Sequence, residues 1–304
     1  MNAPGRGDSL VTLAAAGTGV QVGAAMVASR FALHALGSAD LALLRYALAL
    51  ALVLPAALAA RRRRWARRDV LPVALLGITQ FGVVIVLLNL SLERLPAGLA
   101  ALLFTTAPLQ ALLLASAIGQ ERLTRLKVVG ALVALAGVAL ALDAPLSVGG
   151  GALAVVAALS SAFAAALCSV LYRPYLARYP VPQVGAVAMA AAVTVLLVPA
   201  AADGLARTAP GLSAATWQAV AFVGVSSGVG YLLWLWALGR AEASRVTLFL
   251  ALGPITALLL GAAFLSEPLR AHALEGAALV ALGLAVAHRK VRRDSIIVPR
   301  TKGS

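Results

Sequence analysis

The 304-residue chain is 62% hydrophobic and only 12% charged, about half the charge of an ordinary soluble domain, so a water-soluble globule is excluded and lipid is the solvent for most of it. Its formal net charge of +14 would suit nucleic acid, but in a membrane chain the same excess arises from topology. The lone Cys168 forms no intramolecular disulfide, leaves the redox compartment open and reads as a small core residue.

A spanning helix needs about 20 mostly apolar residues, and ten such stretches succeed one another. Residues 10–30 form the first, with Gln21 at mid-depth, and are expected to act as their own insertion signal, since they lack the pattern of a cleaved leader. The second, 39–60, carries Arg45, and the third, 70–91, carries Gln80 and Phe81. The fourth, 96–118, holds Thr105, Thr106 and Pro108, whereas the fifth, 124–143, is nearly featureless beyond Gly130 and Gly137. Ser160 and Ser161 mark the sixth, 150–172; the seventh, 183–201, has no polar cluster. The eighth, 214–238, is the richest, with Ser226, Ser227, Tyr231 and Trp234. Thr247, Pro254 and Thr256 fall in the ninth, 244–265, and Glu275, Gly276 and Gly283 in the tenth, 269–288. Nothing of domain size is left over, and 291–304 reads as a solvated tail.

The positive charges set the orientation. If the N-terminus is inside, twenty Lys and Arg residues fall on inside segments, among them Arg61 to Arg64, Arg173 and the tail, against four outside: Arg30, Arg94, Arg207 and Arg270. Positive charge is retained on the cytoplasmic side, so both termini are expected there.

The chain also repeats itself. Pro108, Glu121, Leu123, Gly130 and Gly137 recur as Pro254, Glu267, Leu269, Gly276 and Gly283, at one constant offset of 146 positions that also carries Gly82 onto Gly228. The division is therefore 1–146, 147–290 and the tail 291–304. A unit of five spans is odd in number, so the second unit must enter the membrane upside down. The expected fold is an all-α membrane protein of ten transmembrane helices, built as two inverted five-helix repeats. Such repeats are the plan of secondary transporters, with the solute held near the midplane between the halves.

Particular motifs tie this plan to a family. Pro-Ala-Gly-Leu-Ala-Ala at 96–101, Ala-Pro-Leu at 107–109 and Gln-Glu-Arg-Leu-Thr at 120–124, with Gly-Pro-Ile at 253–255 and Ser-Glu-Pro-Leu at 266–269, resemble the drug/metabolite transporter superfamily in its ten-span branch of two EamA-type repeats. The resemblance covers nearly the whole chain and is closest to bacterial exporters of amino acids and related metabolites. Gln120 and Ser266 stand where the family usually has glycine. These are scaffold motifs and specify no substrate.

Polar groups at mid-depth are costly in lipid and normally face the bundle or a wet cavity. The expected solute site therefore gathers Gln21, Gln80, Phe81, Thr105, Thr106, Ser160, Ser161, Ser227, Tyr231 and Trp234. It would be lined by spans 1, 3, 4, 6, 8 and 9, with the glycine-marked fifth and tenth paired as scaffold away from it. The alternative for each hydroxyl is a bond to a neighbouring helix. Pro108 and Pro254 are expected as helix kinks, either static or flexing with transport. Arg45 and Glu275, the two charges well inside spans, are expected to pair with each other or reach the outer interface; a proton-coupling role for Glu275 is the alternative.

No nucleophile, base and acid share a depth, and His34, His272 and His288 lie at span ends with no matched second carboxylate or cysteine nearby in the sequence pattern, so neither catalysis nor a metal site is expected. No phosphate-binding loop is present, and no cofactor is implied. The function expected is secondary transport, most readily export, of amino acids or related small metabolites across the bacterial inner membrane. Export of cationic or amphipathic drugs and a non-transporting receptor or structural role are the alternatives. The partners expected are a small-molecule substrate and the bilayer, with no nucleic acid, for a monomer or weak homodimer.

Overall fold

Lipid offers no hydrogen-bond partners, so an apolar chain must satisfy its backbone within itself, and a helix does so segment by segment. The computed structural model describes residues 6–60, 65–119, 124–141, 151–238 and 252–287, and all regular structure among them is helical. Six stretches are long and apolar enough to cross a membrane: Ser38–Ala59, Arg67–Leu92, Ala97–Ala117, Gly151–Leu171, Val181–Asp203 and Ala214–Leu233. Leu252–Leu265 and Ala271–Ala287 are apolar but shorter. Glu121, Thr247 and the tail lie outside the described residues.

Helices α1 (Arg6–Ala32) and α2 (Ser38–Ala59) are continuous, but the next two spans are not. Helix α3 (Arg67–Gly77) passes into a π-helical turn at Ile78–Val83 and resumes as α4 (Val84–Leu92). A π turn takes in an extra residue and so rotates the rest of the helix about its axis. Helix α5 (Ala97–Phe104) stops, Thr105 and Thr106 bridge, and α6 (Ala107–Ala117) starts with Pro108 in its first turn. Proline is at ease there, because the first N–H groups of a helix have no intrahelical partner to lose. Pro108 thus opens a helix after a break, in place of the expected kink within a continuous one. Pro254 is buried at the third residue of α13 (Leu252–Leu265), and Leu250, whose carbonyl it would leave free, lies outside the described residues.

The remaining helices are α7 (Arg125–Ala141), α8 (Gly151–Leu171), the short α9 (Arg173–Leu176), α10 (Val181–Asp203), the short α11 (Leu205–Thr208), α12 (Ala214–Leu238) and α14 (Ala271–Ala287). In lipid, close approach through small residues holds helices together. Helix α8 accordingly buries Ala154, Ala158, Ala162 and Ala166 and turns Leu153 and Phe163 outward.

The same rule builds a seam between α7 and α14, which pack along each other. A Cβ at Gly130 would strike the Gly283 carbonyl, and one at Gly283 would strike the Gly130 carbonyl; Gly137 and Gly276 are related in the same way. The helices run antiparallel, and each glycine contact is the other with the repeat-equivalent residues exchanged.

Two polar clusters tie the bundle near its ends. At one, Arg30 Nε meets Glu267 Oε1 at 2.5 Å, and the Ala97 N–H opening α5 donates to both Glu267 oxygens at 3.1 and 3.0 Å. Glu267 follows Ser266, a non-glycine residue with φ of 54°. At the other end, Arg178 Nη1 and the Tyr179 hydroxyl donate to Asp69 Oδ2 at 2.8 and 2.7 Å, and the Tyr179 ring stacks on Trp65.

Candidate functional site

A cavity of about 290 Å³ lies between α1, α2, the α3 to α4 path, α10 and α12, with Phe104 of α5 at its side. That is the lower end of small-molecule sites, roughly 300 to 1,000 Å³.

One part of the wall is polar. Gln21 donates its amide to the Ser226 carbonyl and, at 2.7 Å, to the Ser226 hydroxyl; Gly230 leaves it room, because a Cβ there would collide with that amide. Arg45 Nε donates to Ser227 Oγ at 2.7 Å, and that hydroxyl donates onward to the Val223 carbonyl at 2.7 Å. Tyr231 lies against Gly185, with its hydroxyl 3.4 Å from the Val181 carbonyl. Ser29, 1% exposed, has a hydroxyl with no hydrogen-bond partner among the described residues. The facing part is apolar, where the rings of Tyr46 and Phe81 meet at 5.0 Å beside Met26, Ile85 and Met189.

Arg45 is the only charged residue in this wall among the described residues. Its helix places it seven residues past Ser38, about 10 Å along the axis at 1.5 Å per residue. The nearest acid on α2, Asp40, is turned toward Gly37 and Asp203. The guanidinium carbon sits 5.6 Å from the Tyr46 ring centroid, a cation–π contact. A guanidinium has five N–H donors, and the bond to Ser227 uses one of them.

Of the residues expected to form the solute site, Gln21, Phe81, Ser227 and Tyr231 line this cavity, and Gln80, Thr105, Thr106, Ser160 and Ser161 do not. Thr105 and Thr106 donate to the Ala101 and Leu103 carbonyls, both at 2.7 Å, because a threonine hydroxyl can always satisfy itself on the preceding turn. Ser161 donates to the Val84 carbonyl at 2.7 Å and so packs α8 on α4; Ser160 faces outward. Gln80 lies within the π turn, and its repeat counterpart Ser226, on uninterrupted α-helix, is the one that lines the cavity. The Trp234 side chain lies outside the described residues. By span, the second and seventh take part through Arg45, Tyr46 and Met189, and the sixth and ninth do not among the described residues.

Arg45 and Glu275 form no pair. Arg45 is turned to Ser227, whereas Glu275 is exposed on α14, which packs along α7. The acids that do meet an arginine among the described residues are Glu267, on Arg30, and Asp69, on Arg178. Sequence reasoning missed Arg45 as a cavity residue although a signal existed: it is the one cation well inside a span.

Comparison with known proteins agrees with this architecture. The EamA-like transporter family matches the chain twice, over residues 9–142 and 152–288. The chain belongs to that family. An EamA-like transporter carries solute across the membrane and is not an enzyme. One relative, from Archaeoglobus fulgidus and named "uncharacterized transporter", is 31% identical over 270 residues, 88% of this chain and 95% of its own. Another, from Streptantibioticus cattleyicolor and named "probable terminal-alkyne amino-acid exporter", is 34% identical over 272 residues, 88% of this chain and 89% of its own. A crystal structure of 23% identity superposes with a TM-score of 0.66 over 92% of this chain and 96% of that one, a likeness of fold.

Proposed function

We infer that this EamA-like transporter exports amino acids or related small metabolites across the bacterial inner membrane by alternating access. It would cross the membrane ten times, as two inverted five-helix repeats within 1–146 and 147–290, with both termini and the tail 291–304 in the cytoplasm. The observation that carries the reading is the cavity itself. It is small, about 290 Å³, and it faces hydrogen-bonding groups at Gln21, Ser226, Ser227 and Tyr231 with rings at Tyr46 and Phe81. A zwitterion with a modest apolar side chain fits such a wall. Its sole charge among the described residues is a cation, which disfavours a cationic drug, and the relative named as a probable terminal-alkyne amino-acid exporter supports the same class.

Flux into proteoliposomes of the purified full chain tests this, using a panel of amino acids, nucleobases, sugars and cationic drugs. Saturable flux of amino acids is expected; flux confined to cationic drugs would replace the reading with the drug-export alternative. For the topology, cysteines placed at Asp143 and Asp203 should react with an impermeant thiol reagent from outside, and cysteines at Trp65 and Arg125 only after permeabilisation. The reverse labelling pattern would overturn the inverted arrangement.

A further inference from the structure

We propose that Arg45 is the anchor for a substrate carboxylate, which makes the carboxylate the group that this transporter selects. The inference rests on the export reading above and narrows it to one chemical feature of the cargo.

A cation in a membrane-embedded wall is costly, and such groups normally pair with an acid or a row of carbonyls. Arg30 obeys that rule through Glu267. Arg45 does not: among the described residues its guanidinium meets only the Ser227 hydroxyl, at 2.7 Å, and the Tyr46 ring. No acid lines the cavity among the described residues to compensate it. The side chain is also held in place. Ser227 accepts from Nε and is itself fixed by its bond to Val223, so among the described residues the two terminal nitrogens have no hydrogen-bond partner and remain for the solute.

An arginine held at Nε presents its Nη pair end-on, and a carboxylate accepts from such a pair through two parallel N–H···O bonds. In a low-dielectric pocket this bond replaces the missing counter-charge, so an anionic group enters at a site already positive and a cationic group enters against repulsion. Ser29, buried in the same cavity with its hydroxyl unpartnered among the described residues, offers one more polar contact to the solute. Among the described residues the amino group of an amino acid would meet only neutral acceptors and rings here, so the carboxylate and not the ammonium carries recognition.

The test is flux in proteoliposomes of the full chain, comparing leucine with leucinamide and with 3-methylbutylamine, and adding keto and hydroxy acids to the panel. Native protein should move leucine and discriminate against both carboxylate-free analogues. Arg45→Gln should raise the apparent KM for leucine by roughly ten- to hundredfold and erase the acid-over-amide preference. Arg45→Lys, which keeps charge without the planar fork, should fall between, and it guards against a folding defect in the Gln variant. If native protein moves leucine and leucinamide equally, or if Arg45→Gln keeps the native acid-over-amide ratio, the anchor is wrong and amino-acid export stands. If keto or hydroxy acids move in an Arg45-dependent way and amino acids do not, the anchor stands and the amino-acid reading falls. Flux of carboxylate-free solutes alone would overturn both.

Discussion

Arg30 and Arg45 sit on the first two helices of the bundle in opposite electrostatic situations. Arg30 is closed: its side chain is 20% exposed, and it meets Glu267 and the Leu92 and Leu95 carbonyls. Arg45 is open, holding a hydroxyl and facing a cavity. The first joins α1 to the start of α5 and to the linker after α13, so its charge is spent on architecture. The second is oriented without being neutralised by any described residue. A fold can tolerate an uncompensated cation only where water or a ligand reaches it, and the cavity supplies that access. The difference separates an arginine that holds the protein together from one that waits for a solute.

The sharpest way to break this comparison is Glu267→Gln. It removes the counter-charge from Arg30 and weakens the acceptor for the Ala97 N–H. Loss of one partner of a largely buried pair should lower stability by about 2 to 4 kcal/mol, read as a clear fall in melting temperature in detergent. In combination with Arg30→Gln the two losses should be strongly non-additive, because the double variant leaves no orphaned charge. Additive losses would mean that the two residues act separately. A smaller effect is expected at Ser227→Ala, which frees Nε and lets the guanidinium swing. A lost orienting hydrogen bond of about 0.5 to 1.5 kcal/mol should raise the apparent KM for amino acids roughly two- to tenfold and leave melting nearly unchanged. An unaltered KM would show that Ser227 does not position Arg45.

The fold is far more legible in the sequence than the site. Gly130, Gly137, Gly276 and Gly283 announce a seam because nothing larger lets the backbones touch, so backbone geometry is written directly into residue type. Pro108 is visible as a disruption, although whether it kinks a helix or opens one depends on Thr105 and Thr106, which tolerate either state. The cavity is harder to read, because a polar residue at mid-depth has two outlets. Thr105, Thr106 and Ser161 bond carbonyls away from the cavity, while Gln21 and Ser227 also bond carbonyls but line it, and composition does not separate the cases. The π turn at Ile78–Val83 adds a register change without a sequence signature, which is why Phe81 and not Gln80 lines the cavity. At Arg45 depth along the span is legible but azimuth around the helix is not, and so its partner is Ser227 and not Glu275, whose pairing with it is one of the two arrangements expected.

Ser266 bears on the closed arginine alone. At φ of 54° it occupies the left-handed region, where a side chain costs roughly 1 to 2 kcal/mol that glycine avoids. Glycine gives part of this back by loosening the unfolded chain, at about 0.5 to 1 kcal/mol. Ser266→Gly should therefore stabilise the protein by about 0.5 to 1 kcal/mol and keep Glu267 on Arg30, raising the melting temperature slightly with flux unchanged. A fall in melting temperature would mean that the hydroxyl has a structural role that offsets the backbone strain.

The smallest expected effect, and the one that separates the two arginines most cleanly, is that of Arg45→Gln on ligand-free stability. The variant loses the charge-assisted bond to Ser227 and the contact with Tyr46. It also relieves the desolvation of an uncompensated cation, and glutamine retains a donor for the Ser227 hydroxyl. Replacing a buried charge by a neutral group is often neutral or stabilising when no partner is orphaned, and here no acid is left behind among the described residues. The net change should stay within about 1 kcal/mol, against the larger loss at Glu267→Gln. Ligand then divides the variants. Saturating leucine at about a hundred times its native dissociation constant should stabilise the native protein by about 2.7 kcal/mol, while the same concentration should stabilise Arg45→Gln, whose affinity is roughly ten- to hundredfold lower, by only about 0.4 to 1.4 kcal/mol. A ligand-free Arg45→Gln that melts as low as Glu267→Gln would show that Arg45, too, is spent on architecture, and the contrast between the two arginines would collapse.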